Sequence, residues 1–259
     1  MIKSAFRYLN YLLKAVDEHS LHAPFIYHFY TTLIKPDNIS EVYLPFQQIR
    51  RNLSKDYRTI HTIDLGAGSL KNKSPEKKVS KVVRNSTTPS KHSRLFHRII
   101  KSYQCDNMIE LGTSLGINTL YMASGNKNGQ VYTLEGCPQI AEMAQKVFDQ
   151  FQDLNIQLIL GNIDSTLPEL VKKLNSIDFV YFDANHTFDA TLNYFNTCLP
   201  GIHENSIFVF DDIHWSEDME KAWETIKNHK KVTLSIDLFD SGIIIFKPLV
   251  TKQHYVLNY

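Results

Sequence analysis

From residue 107 onward, short apolar runs alternate with amphipathic stretches at a regular beat, and this alternation leaves the chain few folds to choose from. Strands are expected over 107–111, 130–135, 156–160, 177–182 and 206–211, with helices over 115–124, 138–151, 165–175, 188–198 and 217–228 between and after them. Strand–helix–strand repeats with short links demand a mainly parallel sheet with helices on its faces. After 228 the beat changes. Val232 to Leu238, a turn at Asp240-Ser241-Gly242, and Ile243 to Phe246 predict an antiparallel hairpin. The expectation is an α/β fold built on a doubly wound, mainly parallel sheet of seven strands that closes on that hairpin.

In such sheets ligands lie beyond the carboxyl ends of the strands. Those ends carry Glu110 and Gly112, then Glu135, Gly161-Asn162-Ile163-Asp164, Asp183-Ala184-Asn185-His186, and Asp211-Asp212-Ile213-His214-Trp215. Acids at five successive strand ends are hard to explain as solvated loops. The first of these stretches, Ile109 to Thr119, reads as strand, glycine turn, helix. Gly112 and Gly116 bracket the turn, where a Cβ would hold a ligand away from the backbone. The pattern E-x-G-x-x-x-G lacks the middle glycine of a dinucleotide fingerprint and the Lys-Ser/Thr of a phosphate loop, so phosphate is not the obvious guest. Glu135 ends the next strand, where an acid can accept from both hydroxyls of a ribose. A nucleoside without phosphates fits both features.

On the Glu-Leu-Gly-Thr-Ser-Leu-Gly motif, Glu135 and the closing hairpin, the chain resembles the class I S-adenosylmethionine-dependent methyltransferases, among them small-molecule O-methyltransferases of the catechol and caffeoyl-CoA type. The likeness covers residues 107 to 247 and implies a Rossmann-like fold. It implies a cofactor cradle of Glu110, Gly112, Thr113, Ser114, Gly116, Glu135, Asn162, Asp164 and Asp183. There Glu110 would accept from the methionine ammonium or cap loop amides, and Glu135 would hold the ribose. Asn162 and Asp164 would meet adenine, with a helix N-cap as the rival role for Asp164. Asp183, Asp211 and Asp212 match the Asp, Asp and Asn that hold a divalent metal in the catechol type, which would make Mg²⁺ or Mn²⁺ a second cofactor. Asp212 departs from that pattern, and metal-independent relatives use such carboxylates for hydrogen bonds to cofactor or substrate. His186 stands three after Asp183, at the position of the catalytic lysine. An imidazole with an ordinary pKa near ~6.5 can take a hydroxyl proton at neutral pH. Asp183 and His214 are the other catalytic candidates. Trp215 offers an apolar wall or a helix anchor.

The first 85 residues match no substrate-defining motif and are expected to form a helical extension, a cap or a dimerisation surface, ahead of the methyltransferase domain at 86–259. Phe6, Leu9, Leu13 and Val16 predict an amphipathic helix, a second runs from Pro24 to Pro36, and a third carries Phe46, Ile49, Leu53 and Tyr57. Asp64-Leu65-Gly66-Ala67-Gly68-Ser69 looks more like the common methyltransferase motif than Glu110 to Gly116 does. The stretch after it, Leu70 to Lys81, is rich in Lys and Ser and has no helical apolar stripe, so a polar loop is expected. Its cations (Lys71, Lys73, Lys77, Lys78, Lys81 and, beyond it, Arg84) would attract an acidic substrate or be solvated. A helix with Leu95, Phe96, Ile99 and Ile100 on one face is expected over 91–103, with Thr88 and Ser90 ahead of it as cofactor contacts or N-cap.

A formal net charge of +1 gives no electrostatic footprint for nucleic acid, and no apolar run is long enough to span a membrane. Cys105, Cys137 and Cys198 are scattered, which suggests neither disulfides nor zinc and points to a reducing cytoplasm. Methyl transfer to a hydroxyl of a small molecule is the expected function, with a homodimer through the N-terminal helices as the expected assembly. The alternatives are transfer to nitrogen or to a macromolecule, a nicotinamide-dependent oxidoreductase, and a non-catalytic binding protein.

Overall fold

The structure, a computed structural model, describes residues 2–37, 39–62 and 75–259. The segment Asp64 to Ser69, with Lys71 and Lys73, lies outside the described residues. In chain order come α1 (Ile2–Lys14), α2 (Pro24–Phe29), α3 (Leu44–Ser54), β1 (Thr59–His61), β2 (Glu76–Lys78), α4 (Val79–Asn85) and α5 (Ser90–Tyr103). Next are β3 (Asn107–Leu111), α6 (Ile117–Gly125), β4 (Gln130–Glu135), α7 (Pro138–Phe148), β5 (Ile156–Leu160) and α8 (Ile163–Lys173). The rest is β6 (Phe179–Phe182), α9 (Phe188–Cys198), β7 (Ile207–Asp211), α10 (Glu217–Lys227), β8 (Leu234–Asp237), β9 (Ser241–Ile245) and β10 (Gln253–Val256). Two units divide the chain: Asp37–Leu174, and Met1–Pro36 together with Asn175–Tyr259.

In Asp37–Leu174, β3, β4 and β5 pair in parallel. The register sets Leu111 opposite Leu134 and Glu135 opposite Leu160, so the glycine turn, Glu135 and Gly161 emerge at one edge. The apolar run of β3 is buried on both faces, as a parallel strand requires. Leu95, Phe96, Ile99 and Ile100 are fully buried on α5, the face their spacing predicts. Neither Thr88 nor Ser90 caps that helix. Its N-cap is Pro89 without a side-chain bond, and Thr88 instead gives its carbonyl to Arg50 Nη2 at 2.6 Å.

Between residues 37 and 86 the chain contributes to this unit's core. Tyr43, Phe46 and Ile49, at and within the start of α3, pack with Ile117, Leu120, Tyr121 and Phe148. The polar loop expected up to Lys81 is corrected where it is described: β2 pairs antiparallel with β1, and α4 buries Val79, Val82 and Val83 against Ile60 and Leu115. Valines at i, i+3 and i+4 share one helical face, and Lys81 and Arg84 take the other. Leu115 belongs to the glycine turn, so this small cluster fastens the turn from outside.

In the second unit the strand order is β10-β8-β9-β7-β6, with β6 and β7 parallel and β7, β9 and β8 antiparallel in turn. The closing hairpin is therefore present. Beyond the expected strands, β10 pairs parallel to β8, and the single bridge Val16 to Leu257 continues that edge into the residues after α1. Aromatic side chains fill the interior: Phe182 stacks on Phe210 at 4.3 Å, and Phe195 meets Phe208 edge-on.

Helix α1 forms, but not with the expected face inward. Phe6, Leu9 and Leu13 are exposed, Leu13 at 77%, whereas Tyr11 is buried and Tyr8 packs on Phe239. The helix has two apolar faces, and periodicity does not say which one finds a partner. Leu115→Ala is expected to cost about 3 kcal/mol, the range of large-to-small core changes. Urea unfolding checks this, and an unchanged midpoint would show that the Val79–Val82–Val83 cluster does not hold the glycine turn.

Candidate functional site

Two clusters of the expected residues are formed, one in each unit. In Asp37–Leu174 the glycine turn is built around Glu110, which is 1% exposed. Asn118 Nδ2 donates to its Oε1 at 2.8 Å, and Thr133 Oγ1 and Thr119 Oγ1 donate to its Oε2. Thr113 and Thr133 share a further hydroxyl bond at 2.6 Å. The carboxylate thus joins β3, β4 and α6. Between β3 and α6 the chain takes left-handed φ values at Gly112 (95°), Ser114 (49°) and Gly116 (75°). A Cβ on Gly116 would lie 2.5 Å from the Phe148 ring, so the second motif glycine is required by packing as well as by conformation.

The turn aims its backbone at Glu135. Ser114 N–H donates to Glu135 Oε2 at 3.0 Å and Cys137 N–H to Oε1 at 2.9 Å. Burial raises the pKa of Glu135 against these amide donors. Asn162 and Asp164 are both exposed, and Asn162, not Asp164, caps α8 by accepting from Asp164 N–H at 2.9 Å. That settles the N-cap rivalry: the side chain at the first non-helical position takes the free amide.

The second cluster lies at the ends of β6 and β7. His186 Nε2 stands 3.5 Å from Asp183 Oδ1 and 3.9 Å from Asp212 Oδ2. Burial opposes its charge, but the two carboxylates outweigh burial and raise its pKa. Asp211 is held well above the carboxylate range by burial and by the charges of Asp183 and Asp212; it shares a hydrogen bond with Asp183, and Tyr181 donates to it. Burial and the neighbouring acids thus both oppose a charge on Asp211. Asp212 is raised too, first by burial and then by Asp183 and Asp240, with His186 opposing. Trp215 is 44% exposed, and its ring centre is 6.1 Å from that of His186.

His214 does not join this group. Its Nε2 lies 2.8 Å from Asp237 Oδ2 and its Nδ1 lies 3.4 Å from Glu220 Oε1. Asp237 and Asp240 were not singled out in the sequence. Their only signal is that an acid on each side of Leu238-Phe239 exceeds what a hairpin turn needs.

The metal donors expected from the resemblance do not form a coordination set. Asp211 faces Asp183 and Tyr181, Asp212 reaches His186, and among the described residues no group of three or more His, Cys, Asp or Glu side chains is disposed to hold a metal ion.

Residues 109–213 match the family described as "Methyltransferase domain". Catechol O-methyltransferase of Niastella koreensis is 32% identical over 113 residues, 42% of this chain, and the chain spans half of that protein's length. Among solved structures, the O-methyltransferase of Bacillus cereus in complex with SAH aligns with TM-score 0.55 at 15% identity over 84% of this chain and 96% of its own. A SAH-bound methyltransferase of Podospora anserina aligns with TM-score 0.59 at 15% identity over 88% and 98%. The fold is thus the Rossmann-like α/β type of these enzymes, and the segment from the glycine turn to Asp211-Asp212 resembles class I methyltransferases in sequence as well.

Thr133→Val, which keeps the shape but removes one donor to Glu110, is expected to destabilise the protein by about 1–3 kcal/mol, the cost of an unsatisfied buried group. Denaturant unfolding measures it. No loss of stability would remove Glu110 from the centre of the turn.

Proposed function

We propose that this protein transfers a methyl group from S-adenosylmethionine to a hydroxyl of a small molecule. One observation carries the proposal: the segment matched to a methyltransferase domain, 109–213, begins at the glycine turn and ends at the acid–histidine cluster. In this reading the backbone of Gly112 to Gly116 cradles the methionine part and Glu135 accepts from the ribose hydroxyls. The exposed Asn162 and Asp164 are offered to adenine. The catechol O-methyltransferase name of the Niastella koreensis relative supports a hydroxyl as acceptor.

The sulfonium is already activated, so the protein's work is to align acceptor oxygen, methyl carbon and sulfur and to remove one proton. His186 takes that proton on Nδ1, the ring nitrogen other than the Nε2 that faces Asp183 and Asp212, as oxygen attacks the methyl carbon. The carbon–sulfur bond breaks, sulfur keeps the electron pair, and S-adenosylhomocysteine leaves. Asp183 and Asp212 stabilise the imidazolium that forms. No step is routed through a metal, since among the described residues no group of three or more His, Cys, Asp or Glu side chains is disposed to hold one. Trp215 supplies an apolar wall to the acceptor. The outward Phe6, Leu9, Leu12 and Leu13 of α1 support self-association through the N-terminal helices. No helix among the described residues is long and apolar enough to cross a membrane.

Thermal denaturation with S-adenosylhomocysteine and with NAD separates this reading from a nicotinamide enzyme, since a bound ligand raises the melting temperature. Only S-adenosylhomocysteine is expected to do so, and Glu135→Ala should weaken it about 10- to 100-fold, the value of hydrogen bonds to a charged group. Equal affinity in the variant would displace the ribose from Glu135.

Labelled S-adenosylmethionine with a panel of phenols, catechols and sugars identifies the acceptor. Transfer is expected to continue in excess chelator. Because His186 must be neutral to accept a proton and its pKa is raised, the rate should climb with pH through a midpoint above ~6.5 and then level off. His186→Ala should abolish that limb, and a limb that survives the change identifies another base.

A further inference from the structure

We infer that His214 is a positioning residue that ties the N-terminal helix and the β8–β9 turn to the Asp211-Asp212 turn, and so sets the surroundings of His186. Its kinetic consequence rests on the methyltransferase reading above.

His214 is held from three sides. Asp237, buried at the end of β8, receives Nε2 at 2.8 Å through Oδ2, while its Oδ1 accepts from Phe239 N–H at 2.8 Å. The Phe239 ring stacks on the imidazole, with centres 5.4 Å apart and planes 23° off parallel. Phe239 also receives α1, with Tyr8 edge-on at 4.9 Å and Tyr11 at 5.3 Å. On the third side Glu220 faces Nδ1, and its other oxygen pairs with Arg7 Nη2 at 2.9 Å. Both ring nitrogens are therefore committed to carboxylates, which leaves none to take a proton from an acceptor.

What these contacts hold is a strained turn. Asp212 has φ 56° and Phe239 has φ 71°, left-handed values that a non-glycine residue keeps only where its surroundings over-determine them. Asp212 N–H donates to Asp240 O at 2.6 Å, Trp215 N–H donates to Asp212 O at 2.9 Å, and His214 sits between these two bonds. The side chain of Asp212 is one of the two carboxylates that face His186. Releasing His214 frees the turn, moves Asp212, and changes the charge beside His186. Arg7 and Tyr8 act on the same turn through Glu220 and Phe239, which gives α1 a part in the acceptor-side cluster.

The test compares His214→Ala, His214→Asn and Arg7→Ala with the parent protein. It reads the ring titration of His186 by NMR, the kcat and KM of methyl transfer, the affinity for S-adenosylhomocysteine, and the melting temperature. His214→Ala is expected to shift the His186 titration and lower kcat about tenfold, the scale of a small misplacement of reacting groups. Affinity for S-adenosylhomocysteine should stay within about twofold, because the residues assigned to it other than Asp183 lie on other elements. His214→Asn, whose amide can still donate to Asp237, should recover part of the loss. Arg7→Ala should act in the same direction, and the Arg7→Ala/His214→Ala pair should be no worse than His214→Ala. If His214→Ala does not fold, His214→Asn and Arg7→Ala decide the matter through the His186 titration. A His186 titration unmoved by these changes overturns the inference. So does a His214→Ala protein that loses the pH-dependent limb while His186→Ala keeps it, since His214 would then be the base. A parent protein that neither binds S-adenosylhomocysteine nor transfers methyl overturns the methyltransferase reading instead, and the His186 titration still judges the positioning role.

Discussion

A carboxylate sealed inside a parallel sheet is the constraint on which the rest of the glycine turn depends. A polar group at that depth is tolerated only when donors replace water, and Glu110 receives donors from Asn118, Thr119 and Thr133. Two of these stand in the first turn of α6, so the helix has to begin close against the end of β3. The chain must reverse within five residues, which forces left-handed backbone at Gly112, Ser114 and Gly116. The same reversal turns the Ser114 amide toward Glu135. A buried acid thereby shapes the turn whose backbone is offered to a ligand, and Phe148 and Leu115 clamp that turn by packing.

The acid–histidine cluster meets a different demand, three carboxyl groups near one another with a single imidazole. Like charges in a poorly solvated place repel, and burial together with Asp183 and Asp212 pushes the pKa of Asp211 upward. Asp183 and Asp212 both face His186 Nε2. His214, a few residues along a similar loop, also faces two acids, yet Asp237 binds it at hydrogen-bond distance and Phe239 covers its ring. One residue type serves two ends. His186 Nε2 faces its two acids at 3.5 and 3.9 Å, whereas His214 is bound by Asp237 at 2.8 Å under the Phe239 ring.

The residues ahead of the regular alternation are not an appendage. Tyr43, Phe46 and Ile49 complete the core under α6 and α7, and the valines of α4 press on Leu115. Helix α1 reaches the second unit's hairpin turn through Tyr8, Tyr11 and Arg7.

Most of the element order was legible in the sequence, because helix and strand periodicities are local and glycine spacing records a local backbone need. The five acid-bearing strand ends were legible for the same reason: parallel strands place their carboxyl ends on one edge wherever they pair. Partners were not legible. The donors of Glu110 come from eight to twenty-three residues away, and the mate of His214 at Asp237 lies twenty-three residues on, across a helix and into the hairpin. The outward turn of Phe6, Leu9 and Leu13, the burial of Val79, Val82 and Val83, and the pairing of β10 with β8 belong to the same class. By itself the sequence determined the alternating elements from 107 onward and the acids that stand at their strand ends. Only the tertiary structure decided which acids and rings surround each histidine, because distant segments bring them within a few ångströms.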